Sequence, residues 1–222
     1  MAPNQVPEQA AIEAGQAVYS DRVLKIYDLV VHGLSNHLLW RCPTRRLTAL
    51  YDRHVSDRHL DVGVGSGYFL DRARFPASEP KITLLDLNPS CLAFAAKRIQ
   101  RYRPQTVQAD VFQALPEIGP FRSIGLTYLL HCLPGRIAEK AIVFDHLAAR
   151  AEPGARLFGA TLLQGDAPRS WAARRLMATY NRKGVFSNAA DRFQDLEAAL
   201  TERFSDVETE RVGCAALFSA RV

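Results

Sequence analysis

The run His59-Leu60-Asp61-Val62-Gly63-Val64-Gly65-Ser66-Gly67-Tyr68-Phe69-Leu70 constrains this chain more than any other stretch. A short apolar segment ends on an acid, glycines follow at alternate positions, and an amphipathic segment begins at once. That pattern reads as strand, tight loop and helix start. Glycines so spaced let backbone take positive φ and let a ligand lie directly on the main chain. The helix opening at Tyr68 turns its positive end toward that floor.

Two ligand classes use such a loop. The dinucleotide fingerprint G-x-G-x-x-G/A requires a small sixth residue for close helix–strand packing. Counted from Gly63 that residue is Tyr68, which argues against a nicotinamide-dependent dehydrogenase. The pattern D-x-G-x-G-x-G, complete at Asp61, Gly63, Gly65 and Gly67, instead resembles the first motif of the class I S-adenosylmethionine (SAM)-dependent methyltransferases.

Acids recur where that resemblance places them. Lys81 to Asp86 is a buried strand by its apolar, β-branched run, and Asp86 stands at its end, with Leu87 after it a further candidate cofactor contact. A carboxylate there can accept both ribose hydroxyls of an adenosine; the alternative is a surface acid. Thr106 to Phe112 reads as a third strand ending at Asp110. The resemblance implies that Asp110 meets the adenine amino group and that Val111 and Phe112 cover the ring, while a turn acid is the other reading. Phe121 to Pro134 reads as strand four running to the substrate side, and Thr127, Tyr128 and His131 match the family's positions near the cofactor's methionine end. Histidine titrates near neutrality and can take a proton from a hydroxyl or amine as a methyl group arrives. His131 is therefore either a base or a residue that packs or caps the next helix.

The remainder supplies scaffold and cover. Asn88 and Pro89 cap the helix after strand two. A helix is expected over Arg136 to Arg150, strand five over Ala155 to Leu163, a helix over Asp191 to Phe204, and strands over Asp206 to Val212 and Ala215 to Ala220. Residues 164–188 form a polar and aromatic insertion, helical from Trp171 to Tyr180, expected to wall the substrate pocket. Ahead of the glycine loop, Ala10 to Val31 reads as a helix, and a second runs from Pro43 to about His54 with Leu47, Leu50 and Tyr51 inward. Tyr19 and Tyr27 on the first helix are pocket candidates or amphipathic core residues.

The chain is thus expected to be an α/β protein. Residues 1–55 would form an N-terminal helical cap and residues 56–222 a SAM-binding domain. The resemblance implies a Rossmann-like, mostly parallel seven-stranded sheet in the order 3-2-1-4-5-7-6, last strand antiparallel, flanked by helices. Its implied activity is transfer of a methyl group from SAM to an O, N or C nucleophile of a small molecule. A non-methylating reaction on the same fold, such as a cyclisation, or a purely binding role, is the alternative.

Composition trims the partners. The net charge of +5 is spread along the chain and reads as a solvated basic surface. The Asn/Asp-Pro-Pro-aromatic turn of base-amino methyltransferases is replaced by Leu126-Thr127-Tyr128-Leu129, so no nucleic-acid partner is expected. The four cysteines show no C-x-x-C spacing, no metal triad is evident, and no apolar run spans a bilayer. A cytoplasmic monomer or homodimer without metal or membrane attachment is the expectation.

Overall fold

The computed structural model describes Asn36 and residues 39–222. The expected helix over Ala10 to Val31, with Tyr19 and Tyr27, lies outside the described residues. Of the cap, helix α1 (Thr44–His54) is described. It buries Leu47 and Tyr51, while exposed Arg46 pairs with Glu210.

The sheet is built from β1 (Arg58–Val62), β2 (Lys81–Asp86), β3 (Gln105–Gln108), β4 (Phe121–Thr127), β5 (Ala151–Leu162), β6 (Ser205–Val212) and β7 (Ala215–Arg221). Their order is β3-β2-β1-β4-β5-β7-β6, the order the family resemblance implies. β1 runs parallel to β2 and β4, β3 to β2, and β5 to β4; β7 is antiparallel to both β5 and β6. The crossover helices are α2 (Tyr68–Arg72), α3 (Pro89–Arg98), and the pair α4 (Ile137–Lys140) and α5 (Ile142–Ala148). Helices α6 (Trp171–Arg182) and α7 (Phe193–Thr201) follow β5.

The central strands are buried on both faces, as parallel sheets require. One core holds Leu47, Tyr51, Phe69, Leu92, Ile99, Phe158 and Met177. The other holds Leu60, Leu85, Ile124, Phe144, Leu196 and Phe218. Side chains alternate along β1, so Leu60 and Val62 enter the second core while His59 and Asp61 face α1.

Local boundaries depart from the sequence expectation at three places. β3 stops at Gln108, where its ladder with Asp86 ends, so Asp110 stands in a turn rather than at a strand tip. There its own Oδ1 accepts the Phe112 N–H at 2.9 Å. The single helix expected over Arg136 to Arg150 is divided at Ala141, beside an inward-turned, buried Lys140. β5 begins at Ala151, earlier than expected. The Pro153-Gly154 turn survives as an irregularity, because Phe121 pairs with Ala151 and Ser123 with Arg156. Among the described residues no helix is long and apolar enough to cross a membrane.

Candidate active site

A cavity opens at the carboxyl ends of β1, β2 and β4 and beside the turn after β3. Open α/β sheets bind ligands there. Every residue expected to hold a cofactor lines it: Asp61, Gly63, Gly65, Gly67, Asp86, Leu87, Asp110, Val111, Phe112 and Thr127. Strand order spreads them across the rim, with Asp110 and Phe112 at one end, then Asp86, then Asp61 and the glycines, and Thr127 at the other.

Two of the glycines show why the loop needs them. Gly65 has φ +50°, and a Cβ built there would meet nothing within 4 Å, so its missing side chain leaves open room on the cavity floor. Gly67 has φ +69°, and a Cβ there would sit 3.1 Å from the Ala95 Cα. One glycine makes space for a ligand, the other lets α3 approach the loop.

Asp86 is poised as an acceptor. Burial pushes its carboxyl up to about 6, against the pull of backbone N–H groups from Asn88, Gly65, Val64 and Leu87. The Asn88 N–H donates to Oδ1 at 2.9 Å. A carboxylate whose desolvation is incompletely compensated gains from further donors, and a ribose diol supplies two. The Asn88 side chain caps α3 by accepting the Ser90 N–H at 2.9 Å.

Asp61 is 4 % exposed and its Oδ2 accepts the Tyr51 hydroxyl at 3.0 Å. Burial and the nearby Asp61 charge hold the Tyr51 phenol well above its ordinary range, so it remains a donor. Tyr51 lines the cavity too. The sequence marked it only as an inward residue, since its meeting with Asp61 depends on how α1 crosses the sheet.

The substrate-side residues have separate fates. Tyr128 lines the cavity, takes a left-handed φ of +65°, and donates its hydroxyl to Asn36 Oδ1 at 3.0 Å. Asn36 in turn donates to Thr44 Oγ1 at 3.1 Å. A non-glycine residue in this conformation costs energy and persists only where its surroundings fix it. Here the Tyr128 N–H to Ala160 O bond, 2.7 Å, does so.

His131 lies behind this wall and is not among the cavity-lining residues. Its Nδ1 accepts the Leu162 N–H at 3.2 Å, and its ring meets Phe186 edge-on at 4.6 Å. Burial, helped by the Lys140 charge, lowers its pKa to about 3. With Nδ1 engaged as acceptor, the neutral ring carries its proton on Nε2. Such a ring is a donor and a packing element; the free acceptor nitrogen that a base requires is taken. Tyr19 lies outside the described residues.

The sequence reading passed over Tyr68, Phe69, Leu129, Cys132, Leu133 and Pro134 as lining residues. Their apolar character gave no signal beyond core or loop. Among the described residues no group of three or more His, Cys, Asp or Glu side chains is placed to hold a metal ion.

The residues present suit SAM: open floor at Gly65, a diol acceptor at Asp86, an apolar cover at Phe112, and an acid at the opposite end. A family model described as a methyltransferase domain matches residues 37–202. Demethylluteothin O-methyltransferase of Streptomyces thioluteus is 42 % identical over 207 residues, covering 93 % of this chain and 90 % of that one. The physcion biosynthesis cluster O-methyltransferase of Aspergillus chevalieri is 33 % identical, with 97 % and 98 % covered. The N-methyltransferase NodS of Bradyrhizobium japonicum, solved with S-adenosylhomocysteine (SAH), superposes with a TM-score of 0.60 at 17 % identity, covering 90 % of this chain and 96 % of that one. The chain belongs to the SAM-dependent methyltransferases with a Rossmann-like fold.

Proposed function

We propose that this enzyme methylates a hydroxyl oxygen of a small, largely apolar, ring-bearing metabolite. The observation that carries the proposal is the apolar lining of the cavity around the cofactor contacts, to which Tyr68, Phe69, Leu129, Leu133 and Pro134 contribute. The oxygen acceptor is supported by relatives named as O-methyltransferases, spanning nearly their whole length.

In this reading SAM supplies an electrophilic methyl on a sulfonium. Asp110 and Phe112 hold the adenine, Asp86 accepts the ribose hydroxyls, Gly63 to Gly67 floor the methionine portion, and Asp61 meets its ammonium. The main contribution of the protein is alignment of a nucleophile in a dry pocket, a contribution worth roughly 7–11 kcal/mol of barrier. His131 holds the Leu162 N–H and packs on Phe186 instead of taking a proton; as the oxygen–methyl bond forms and the methyl–sulfur bond breaks to leave SAH, the hydroxyl's proton passes to solvent. Tyr128 fixes the cover through Asn36. Residues 1–55 act as the cap, with Tyr19 as a candidate substrate contact; none of residues 164–188, expected to wall the pocket, is among the residues that line the cavity. We read the chain as a cytoplasmic monomer or homodimer without a nucleic-acid partner.

The test is a panel of hydroxylated ring compounds and their amino counterparts, incubated with methyl-labelled SAM. Labelled methyl ether formed in equal amount to SAH is the expected result. SAH release with methylation confined to amines would overturn the oxygen acceptor, and substrate conversion without SAH would overturn methyl transfer.

A further inference from the structure

Beneath the cavity floor, on the far side of Asp61, lies a buried polar chain that the proposed cofactor contacts do not use. His59 and Asp61 are two residues apart on β1 and share a face of the sheet. His59 is 0 % exposed. Its Nδ1 lies 2.8 Å from Ser123 Oγ on the neighbouring strand β4. That hydroxyl accepts the Ser56 N–H at 2.9 Å and lies 2.8 Å from Ser56 Oγ. At the other edge of the ring, Nε2 stands 3.5 Å from Asp61 Oδ2, buried and with no hydrogen-bond partner of its own.

The tautomer follows from electrostatics. An Nε2 lone pair facing a carboxylate oxygen at that distance in a buried site is repulsive, whereas Nε2–H is attractive. Ser123 satisfies the second arrangement by donating its proton to Nδ1 while accepting from Ser56. His59 therefore presents Nε2–H to Asp61. Tyr51 donates to the same oxygen, Oδ2, from the opposite element, α1. Both donors address one oxygen, so the carboxylate is oriented with Oδ1, to which no described residue donates, left for the cavity.

We propose that His59, fixed by Ser123, is a positioning residue for Asp61, and that it acts with Tyr51 to set how strongly the site holds the α-ammonium of the cofactor. This rests on the reading that Asp61 meets that ammonium. Such a shell acts on the amino-acid end of the ligand alone, because the adenosine is held further along the rim by Asp86 and Asp110.

That asymmetry gives the test. Calorimetry compares SAH with 5′-methylthioadenosine, which keeps the nucleoside and lacks the amino-acid tail. His59→Phe, Ser123→Ala and Tyr51→Phe are each expected to weaken SAH about tenfold while leaving 5′-methylthioadenosine within about twofold. His59→Gln, which restores an N–H donor, is expected to recover most of the SAH affinity. The conservative Tyr51→Phe keeps the measurement available if a His59 variant fails to fold. Equal weakening of both ligands, or unchanged SAH affinity, overturns this proposal while the cofactor site stands. A wild-type chain that binds neither ligand overturns the site reading and this proposal with it.

Discussion

Lys140 and Asp191 meet at 2.6 Å with both side chains 1 % exposed. The pair joins the end of α4 to the turn ahead of α7, and the Lys140 Nζ also donates to the Ser187 carbonyl at 2.7 Å. Ser187 in turn donates its N–H to the His131 carbonyl at 2.8 Å. The segment between α6 and α7 is therefore tied to the segment that follows β4 through one buried charge pair. Burial drives both groups toward neutrality, lowering Lys140 and raising Asp191, and their mutual attraction opposes it.

Removing one partner strands the other charge. Lys140→Ala is expected to destabilise the fold by about 3–5 kcal/mol, whereas the double change Lys140→Met with Asp191→Leu is expected to recover most of that loss. Urea denaturation of the single and double variants measures both. A single variant as stable as wild type would mean that the pair does not hold these segments together.

Asp86 links cofactor binding to pH. Its carboxyl titrates at about 6, raised by burial, so the folded, ligand-free chain binds this proton more readily than the unfolded chain. From this group, the stability of the ligand-free chain rises as pH falls through 6 toward the unfolded value near 3.8. Diol acceptance needs the ionised form, so SAH affinity is expected to fall over the same interval. Asp86→Asn is expected to raise the melting temperature of the ligand-free chain at pH 8 and to weaken SAH by at least about tenfold. Calorimetry and thermal melts across pH 5 to 8 check the two opposed trends.

Gly65 and Gly67 separate ligand room from packing. Gly65→Ala places its methyl in open cavity at φ +50°, so it is expected to cost about 1–2 kcal/mol of stability and to abolish SAH binding. Gly67→Ala drives its methyl toward the Ala95 backbone and is expected to destabilise more. Thermal melts paired with SAH titrations distinguish them. SAH binding retained in Gly65→Ala would remove that position from the ligand floor.

His131 is expected to leave no mark on the pH profile of kcat between 5 and 8, because its pKa is held near 3. His131→Asn, which keeps an acceptor for the Leu162 N–H, is expected to retain most activity, and His131→Ala to lose both stability and turnover. A limb near neutrality that disappears in His131→Asn would restore the base.

The glycine loop and the Asp86 strand end were legible because each rests on local rules or on a motif with fixed spacing, and the sheet order followed from the family which that motif resembles. Asp61 to Gly67 could be placed without knowing any distant contact. The His59–Asp61 relationship was half legible: period-two alternation puts both on one face of β1, yet Ser123 and Tyr51 arrive from β4 and α1. His131 was left open between base and packing residue for the same reason. Its residue type and position suggest proton transfer, and its engagement with Leu162 and burial against Phe186 arise from tertiary packing. Asp110 kept its place in the cavity wall although the strand beneath it ended sooner, since β3, which among the described residues pairs with β2 alone, lies at the edge of the sheet. The Lys140–Asp191 pair carried no sequence signal, as neither residue sits in a recognisable motif.

The most direct measurement is a crystal structure of the wild-type chain with SAH. The expected result places the ribose hydroxyls at about 3 Å from the Asp86 carboxylate, with the amino-acid tail crossing the glycine loop toward Asp61. SAH lodged elsewhere, or a nucleoside in this cavity that leaves Asp86 without a ribose contact, would contradict it.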